Sequence, residues 1–428
     1  MEALGTKRTK RGSSPGVDRL SALPDHLLHE IMSRMKARQV MRTRFLSRRW
    51  RHLWPSVPCL DVDQREFADT DYHKFGDFLH FLLLRVSVSD LDALRLHVSS
   101  TYDDSHVADA SATIRRAVMS SAVHGEPTWR LKRLHLSGLR LDDLFAEHVR
   151  SRCPFLEHLE LSRCVCGFHA IASGSLQCLA LVDCEGKGFS EITSPSLKNL
   201  AIENGSTNDV TSPLVVAAPA LACLSLVVTP FNFPGGVSFS EMPSLAKASI
   251  RLKVLGEEST AFPEFKNLRS LELNGCGENE LQVSGHILRN SPNLEKLTLS
   301  PPCRQVLVAG SLSYPEFKNI RILILGDWEI GKYDLNHDSQ TLGYFLHSLS
   351  MLEKLTLQRC KLSPNVKKQR GTSKKKNAVQ NLMDIQCKNL RLTEIIYTDD
   401  EVVKLIIELL LPFSRNLPNN NIRLTKVE

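Results

Sequence analysis

The string closest to a chemical motif is Gly326-Asp327-Trp328-Glu329-Ile330-Gly331-Lys332-Tyr333, which follows the apolar run Ile322 to Leu325. It nearly fits GxxxxGK[ST], the loop whose backbone amides cradle phosphates while its small hydroxyl binds magnesium. Tyr333 stands where that hydroxyl belongs, and Asp327 and Glu329 would place negative charge beside the phosphates, so the string reads as a turn between repeated units. Cys164, Cys166 and His169, with Cys153 or Cys178 nearby, are zinc ligands by residue type, yet their spacings match no common zinc module. They read as buried structural thiols. GxSxG and HExxH do not occur, so the expectation is a protein that is not an enzyme and holds neither metal nor cofactor.

A third chemistry is ionic. Arg34, Lys36, Arg38, Arg42, Arg44, Arg48, Arg49 and Arg51 could meet phosphate backbones. The formal net charge of +7 is local, however: residues 1–60 hold thirteen Lys/Arg against four Asp/Glu, and Lys361 to Lys376 add seven positives with no acid. The remainder is acidic, which argues against a nucleic-acid binder. The amino-terminal cations read instead as the solvated face of helices matched to an acidic protein partner. Lys7-Arg8-Thr9-Lys10-Arg11 reads either as a nuclear-import signal or as a charged disordered tail.

The elements that carry these residues follow from periodicity. At 428 residues, 42% hydrophobic and 24% charged, the chain is of globular composition and too long for one ordinary core. Eleven scattered cysteines, an odd number, do not form a secreted disulfide framework. The uncharged stretch Val210 to Ser240 is interrupted by Pro213, Pro219, Pro230 and Pro234, so no membrane span is expected. One phrase, apolar-x-x-apolar-x-apolar, recurs at Leu131, Leu156, Leu176, Leu197, Leu221, Leu245, Leu268, Leu294, Ile320 and Leu352, with Leu91 opening the series and Leu390 closing it. Steps of 20 to 32 residues resemble the leucine-rich repeat, in which each unit supplies one short strand and a return segment. Cys164, Cys184, Cys276 and Cys360 stand three residues past the last apolar position, the slot that this family fills with an inward Asn or Cys. Return segments at Leu141 to Arg150 and Leu342 to Leu349 have helical patterning.

Residues 20–54 follow a different rule. Leu27, Leu28, Ile31 and Met35 have helical spacing after Pro24, and Ser47 is placed to cap a helix on which Leu46, Trp50 and Leu53/Trp54 share a face. Leu23-Pro24-Asp25, Leu27-Leu28, Ile31, Arg44, Leu46 to Arg51 and Leu53-Trp54 resemble an F-box. With the repeats, the chain resembles a plant-type F-box protein with leucine-rich repeats, and Cys387 through Ile395 followed by a helical Asp400 to Leu411 is similar to the FBD region of such proteins.

The fold class that this implies is α/β: a short all-helical F-box module, then an irregular leucine-rich-repeat solenoid. Its expected divisions are a disordered basic tail (1–17), the F-box (18–60), a linker with the first repeat (61–130), the repeats (131–362), a flexible basic loop (363–380) and an FBD-like cap (381–428). The resemblance implies that Leu23, Pro24, Leu27, Leu28, Ile31, Leu46, Trp50 and Trp54 dock a Skp-type adaptor or pack beneath it. Through the adaptor the chain would join a cullin–RING ubiquitin ligase, in the nucleus or cytoplasm, as the subunit that recognises a target protein. Met35-Lys36 departs from the Leu-Pro usual in the family, so two readings stay open: weakened docking, leaving a repeat scaffold with a non-functional F-box, or tolerance. Strand alternation aims the residues between the leucines at the concave face. There Cys178, Ala180, Val182, Cys223, Ser225 and Val227 form an expected target-binding patch of small residues, and Arg133, His135, His158, Glu160, Lys247, Arg251, Glu272, Lys296 and Lys354 a charged rim. A cover by a loop or by the carboxy-terminal segment is the alternative.

Overall fold

The structure, a computed structural model, describes residues 20, 22–67, 72–86, 91–99, 129–186, 188–207, 213–228, 236–252, 263–274, 286–300, 318–327, 329–330, 335–362, 387–414, 417 and 419–427. The basic tail, the loop at 363–380 and Cys276 therefore lie outside the described residues.

Helix α1 (Asp25–Ser33) starts after Pro24, whose φ of −67° suits the N-cap and whose missing N–H costs nothing there. Asp25 in the first turn complements the helix dipole. Helix α2 (Ala37–Arg42) continues into a 3-10 turn, Thr43–Phe45, and α3 (Arg48–Leu53) follows. Leu28, Met32, Ala37, Val40, Trp50, Leu53 and Trp54 are buried between them. Two expectations need correcting. Ser47 occupies the N-cap of α3 with extended dihedrals but makes no side-chain capping bond. Leu46 does not share the buried face of Trp50, being 61% exposed, because the extended Ser47 breaks the helical period between them.

Helix α4 (Tyr72–Arg85) leads into a mixed α/β region built on one long open sheet. Its strands are β1 (Cys59–Asp63), β2 (Ala93–His97), β3 (Arg133–Ser137), β4 (His158–Ser162), β5 (Cys178–Val182), β6 (Asn199–Glu203), β7 (Cys223–Val228), β8 (Lys247–Leu252), β9 (Ser270–Asn274), β10 (Lys296–Leu299), β11 (Ile322–Leu325), β12 (Lys354–Leu362), β13 (Leu392–Tyr397) and β14 (Asn421–Lys426). They pair in chain order and in parallel, and Glu329–Ile330 adds a short pairing to the end of β12. Parallel neighbours in strict order require each connection to return along the far side of the sheet. Some returns are helices, α5 (Asp143–Arg152), α6 (Leu335–Ser348) and α7 (Asp400–Ser414). Others are strands: Ala170–Ala172, Glu191–Thr193, Leu214–Ala217 and Val237–Phe239 make a second parallel sheet.

The core lies between these layers. Leu159 and Leu161, Leu179 and Leu181, Leu200 and Ile202, and Leu224 and Leu226 are buried, while the alternate residues stay half-buried or exposed. Their Leu→Ala truncations should each cost about 2–5 kcal/mol. A left-handed residue follows β4, β5 and β6 at Arg163, Asp183 and Asn204, and Arg359 takes the same conformation within β12, with φ of 51–53°. That turn directs the next residue inward: the Cys164 thiol donates to Leu136 O (3.5 Å) and the Cys184 thiol to Leu161 O (3.2 Å). At the other end of the units, Asn267, Asn293 and Asn319 donate through Nδ2 to Pro243 O, Lys266 O and Pro292 O of the preceding unit. This ladder saturates carbonyls that stacking would otherwise leave unpaired. Among the described residues, no helix is long and apolar enough to cross a membrane.

Candidate functional site

Two surfaces carry the residues that the sequence singles out. On the amino-terminal helices the 3.6-residue period divides α1 cleanly. Leu28 and Met32 face the core with no exposure, and Leu27 (36%) and Ile31 (39%) face outward. Pro24 and Leu46 are also exposed, whereas Leu23 is half-buried against the core. Trp50 and Trp54 are 3% and 4% exposed, so their role here is packing. Phe45, 75% exposed beneath the Arg44 guanidinium at 4.7 Å, belongs to the outward set and was missed by sequence reasoning. The signal was a second large apolar residue beside Leu46 in a segment that also held the non-helical Ser47.

Arg49 stitches this surface together. Its Nη2 donates to Leu23 O at 2.6 Å and its Nε to Asp25 Oδ1 at 2.8 Å, fixing the start of α1 and the residue Leu23 ahead of it against α3. Lys36, at the N-cap of α2 with φ −64° and ψ 145°, turns away from that face toward β1. Its Nζ reaches Asp61 Oδ1 (2.8 Å) and Asp63 Oδ2 (3.3 Å). Burial alone would lower its pKa, but the hydrogen bonds and charges of Asp61 and Asp63 outweigh that and hold it above the usual lysine value. Asp63 is held well below the ordinary carboxylate range, first by hydrogen bonds from the Arg65 side chain and then, against burial, by the Arg65 amide and Lys36.

The second surface is the leucine-free face of the long sheet. Register alone assembles it. One row runs Arg133, His158, Cys178, Asn199, Cys223, Lys247, Ser270, Lys296, each residue opposite the next on adjacent strands. The next row runs His135, Glu160, Ala180, Ala201, Ser225, Ser249, Glu272, Thr298. Val182 and Val227 lie in a third, with Glu203 opposite Val182 and Arg251 opposite Val227. The six expected patch residues are half-buried, and four of them, Cys178, Ala180, Cys223 and Ser225, line with Asn199 and Ala201 a shallow groove whose first two rows bound a volume of ≈ 630 Å³; Val182 and Val227 lie outside its lining. His135 Nδ1 approaches Glu160 Oε2 at 2.9 Å, and Lys354 pairs with Glu394 on β13 at 2.8 Å. Among the described residues Arg133, Lys247, Arg251 and Lys296 make no ion pair.

The remaining candidates are structural in this geometry. Gly326 N donates to Leu299 O at 2.8 Å, and a Cβ there would lie 3.0 Å from Ser300 Oγ, so its glycine serves close stacking of units. Asp327 takes the left-handed turn and accepts from Arg359 Nε at 3.0 Å. Gly331, Lys332 and Tyr333 lie outside the described residues. The Cys164 thiol is committed to main-chain carbonyls, and His169 faces Ser190 (Nε2 to Oγ, 3.3 Å). No group of three or more His, Cys, Asp or Glu among the described residues is arranged to hold a metal ion.

Comparison with known proteins bears on both surfaces. The family model for the F-box domain matches residues 20–61. One described as the leucine-rich repeats of the FBD-associated F-box protein At5g56370 matches residues 111–233. The MEIOTIC F-BOX protein MOF of Oryza sativa subsp. japonica is 29% identical over 343 residues, 66% of this chain and 71% of its own length. The F-box/FBD/LRR-repeat protein At1g78750 of Arabidopsis thaliana is 25% identical over 443 residues, 83% of this chain and 93% of its own. The F-box/FBD/LRR-repeat protein At5g53840 of Arabidopsis thaliana reaches 45% over 73 residues, 17% of this chain and 15% of its own.

Proposed function

The chain carries an F-box and leucine-rich repeats like those of plant F-box/FBD/LRR-repeat proteins, and on that basis we propose that it is the substrate-recognition subunit of a Skp–cullin–F-box E3 ubiquitin ligase. The F-box docks a Skp-type adaptor, which links it to a cullin and a RING subunit. The repeats stack as an irregular open solenoid, closed by the FBD-like segment, and hold a target protein in the nucleus or cytoplasm. Chemistry resides on the other subunits, and this chain contributes proximity, raising the effective concentration of target lysines near the ubiquitin-charged enzyme.

The observation that carries the reading is the outward set Leu27, Ile31, Phe45 and Leu46, on short helices whose opposite face is already filled by this chain's own core. A small module that leaves such side chains in water is built for a protein partner. Lys36 does not obstruct it, because its ammonium is committed to Asp61 and Asp63. The test is binding of the full chain to a purified Skp-type adaptor, with Leu27→Asp/Ile31→Asp as the disrupted variant. Binding lost in a variant that still folds supports the reading. A well-folded wild type that does not bind refutes it and leaves a repeat scaffold.

A further inference from the structure

The groove on the leucine-free face is asymmetric in charge. Its first row, from Arg133 on β3 to Lys354 on β12, contains no carboxylate. Of its cations, Lys354 is neutralised by Glu394, but Arg133, Lys247 and Lys296 have no ion-pair partner among the described residues. The neighbouring row holds the acids, Glu160 bound to His135 and Glu272 accepting from Asn274 Nδ2 at 2.9 Å. Between the cations the floor is made of small side chains, Cys178, Ala180, Ala201 and Cys223, which let another backbone approach closely.

Strand spacing turns this into a ruler. Adjacent strands lie about 4.8 Å apart, so the five steps from Arg133 to Lys247 span about 24 Å and the two from Lys247 to Lys296 about 10 Å. An extended peptide advances about 3.4 Å per residue, so these gaps correspond to about seven and three residues. We propose that the groove binds an extended acidic segment of the target, with carboxylates near positions 1, 8 and 11 over Arg133, Lys247 and Lys296 and small residues across the floor. The charge complementarity of the first row selects this occupant, and the proposal rests on the reading of the repeats as the target-binding part.

The experiment uses the full chain and fluorescein-labelled eleven-residue peptides in anisotropy titrations. The probe has aspartate at positions 1, 8 and 11 with alternating Ala and Ser elsewhere. Its controls carry asparagine at those positions or three adjacent aspartates. The expected result is at least tenfold tighter binding of the spaced-aspartate peptide than of either control, weakening at higher salt. Lys247→Glu/Lys296→Glu should remove at least tenfold of that affinity without changing the melting temperature by more than a few degrees. Saturating probe should also slow alkylation of Cys178 and Cys223 at least fivefold, which charge attraction elsewhere on the surface would not do. Equal binding of the asparagine peptide, unchanged binding by the charge-reversed protein, or unprotected cysteines overturns the proposal. So does a twenty-nucleotide single-stranded DNA that displaces the probe more tightly than the probe binds, which would assign the row to nucleic acid. Adaptor binding measured on the same samples separates the two ideas: retained adaptor binding without peptide binding sinks only the groove proposal, and the converse sinks only the ligase reading.

Discussion

Lys36 Nζ lies 2.8 Å from Asp61 Oδ1, joining the N-cap of α2 to the first strand of the long sheet. A second bond to Asp63 Oδ2 at 3.3 Å makes this a clamp between the amino-terminal helices and β1. The position that departs from the usual family residue is thus turned inward, and the cation that sequence alone sets near a partner serves the internal junction instead. Its φ of −64° is also one that proline adopts.

The clamp predicts a separation of effects. Lys36→Met keeps the aliphatic stem but removes the ammonium, so it should cost about 1–2 kcal/mol locally. Hydrogen exchange should quicken in α2 and β1, while affinity for the Skp-type adaptor stays within threefold of wild type. A large affinity loss with unchanged exchange would place Lys36 at the partner surface and refute the inward assignment.

The same junction has a defined acid response. Asp63 is lowered in the folded chain by Arg65 and Lys36, so the folded state binds its proton less readily than the unfolded state does. Stability from this group is therefore complete above the unfolded carboxylate value, near 4, and falls away as pH drops through and below it. Asp63→Asn should narrow its stability deficit against wild type as pH falls below about 4, read from melting temperatures across a pH series. A deficit that is constant with pH would mean that the charge contributes nothing.

On the helical surface, exposure assigns the role of each residue. Phe45→Ala/Leu46→Asp removes outward side chains and should weaken adaptor binding at least tenfold with little change in melting temperature. Trp50→Ala empties a site that is 3% exposed and should cost about 3–5 kcal/mol, so its loss of binding would report unfolding. Measuring circular dichroism beside binding tells these apart. If Phe45→Ala/Leu46→Asp binds the adaptor normally, the docking face lies elsewhere on the module.

What the sequence made legible is what repeats or has a strong period. Leu27, Leu28 and Ile31 announce a helix, and the Leu-x-x-Leu-x-Leu phrases mark the strands of the long sheet because burial there alternates without exception from β4 to β7. The returns were harder. Leu214–Ala217 and Val237–Phe239 are strands of a second sheet that only neighbouring units define, so their short apolar runs carry no signal of their own. The left-handed turns escaped notice because Arg163 and Arg359 occupy a conformation usually signalled by Gly or Asn. The inward turn of Lys36 was illegible for a different reason: its partners are twenty-five and twenty-seven residues away. The floor of the groove could be written down residue by residue, since register in a parallel stack follows from the repeat phase.

Cysteine reactivity tests that floor directly. Burial pushes the thiols of Cys153 and Cys387 up to about 12, and hydrogen bonding with the neighbouring Cys184, together with burial, raises Cys164 and Cys166 as well. At pH 8 a thiol with a pKa of about 12 is only about one part in ten thousand thiolate, and thiolate is the form that attacks an alkylating agent. Cys178 and Cys223, by contrast, are partly open to solvent in the groove, as is Cys59 on β1. Brief iodoacetamide treatment of the native chain, mapped by mass spectrometry, should therefore modify Cys59, Cys178 and Cys223 while sparing Cys153, Cys164, Cys166 and Cys387 until the chain is unfolded. Were Cys153 to react as fast as Cys223, the layer behind β4 would be open to water. Were Cys178 and Cys223 to stay protected in the free chain, the groove would be covered, and the small-residue floor would be part of the interior rather than a place for a partner.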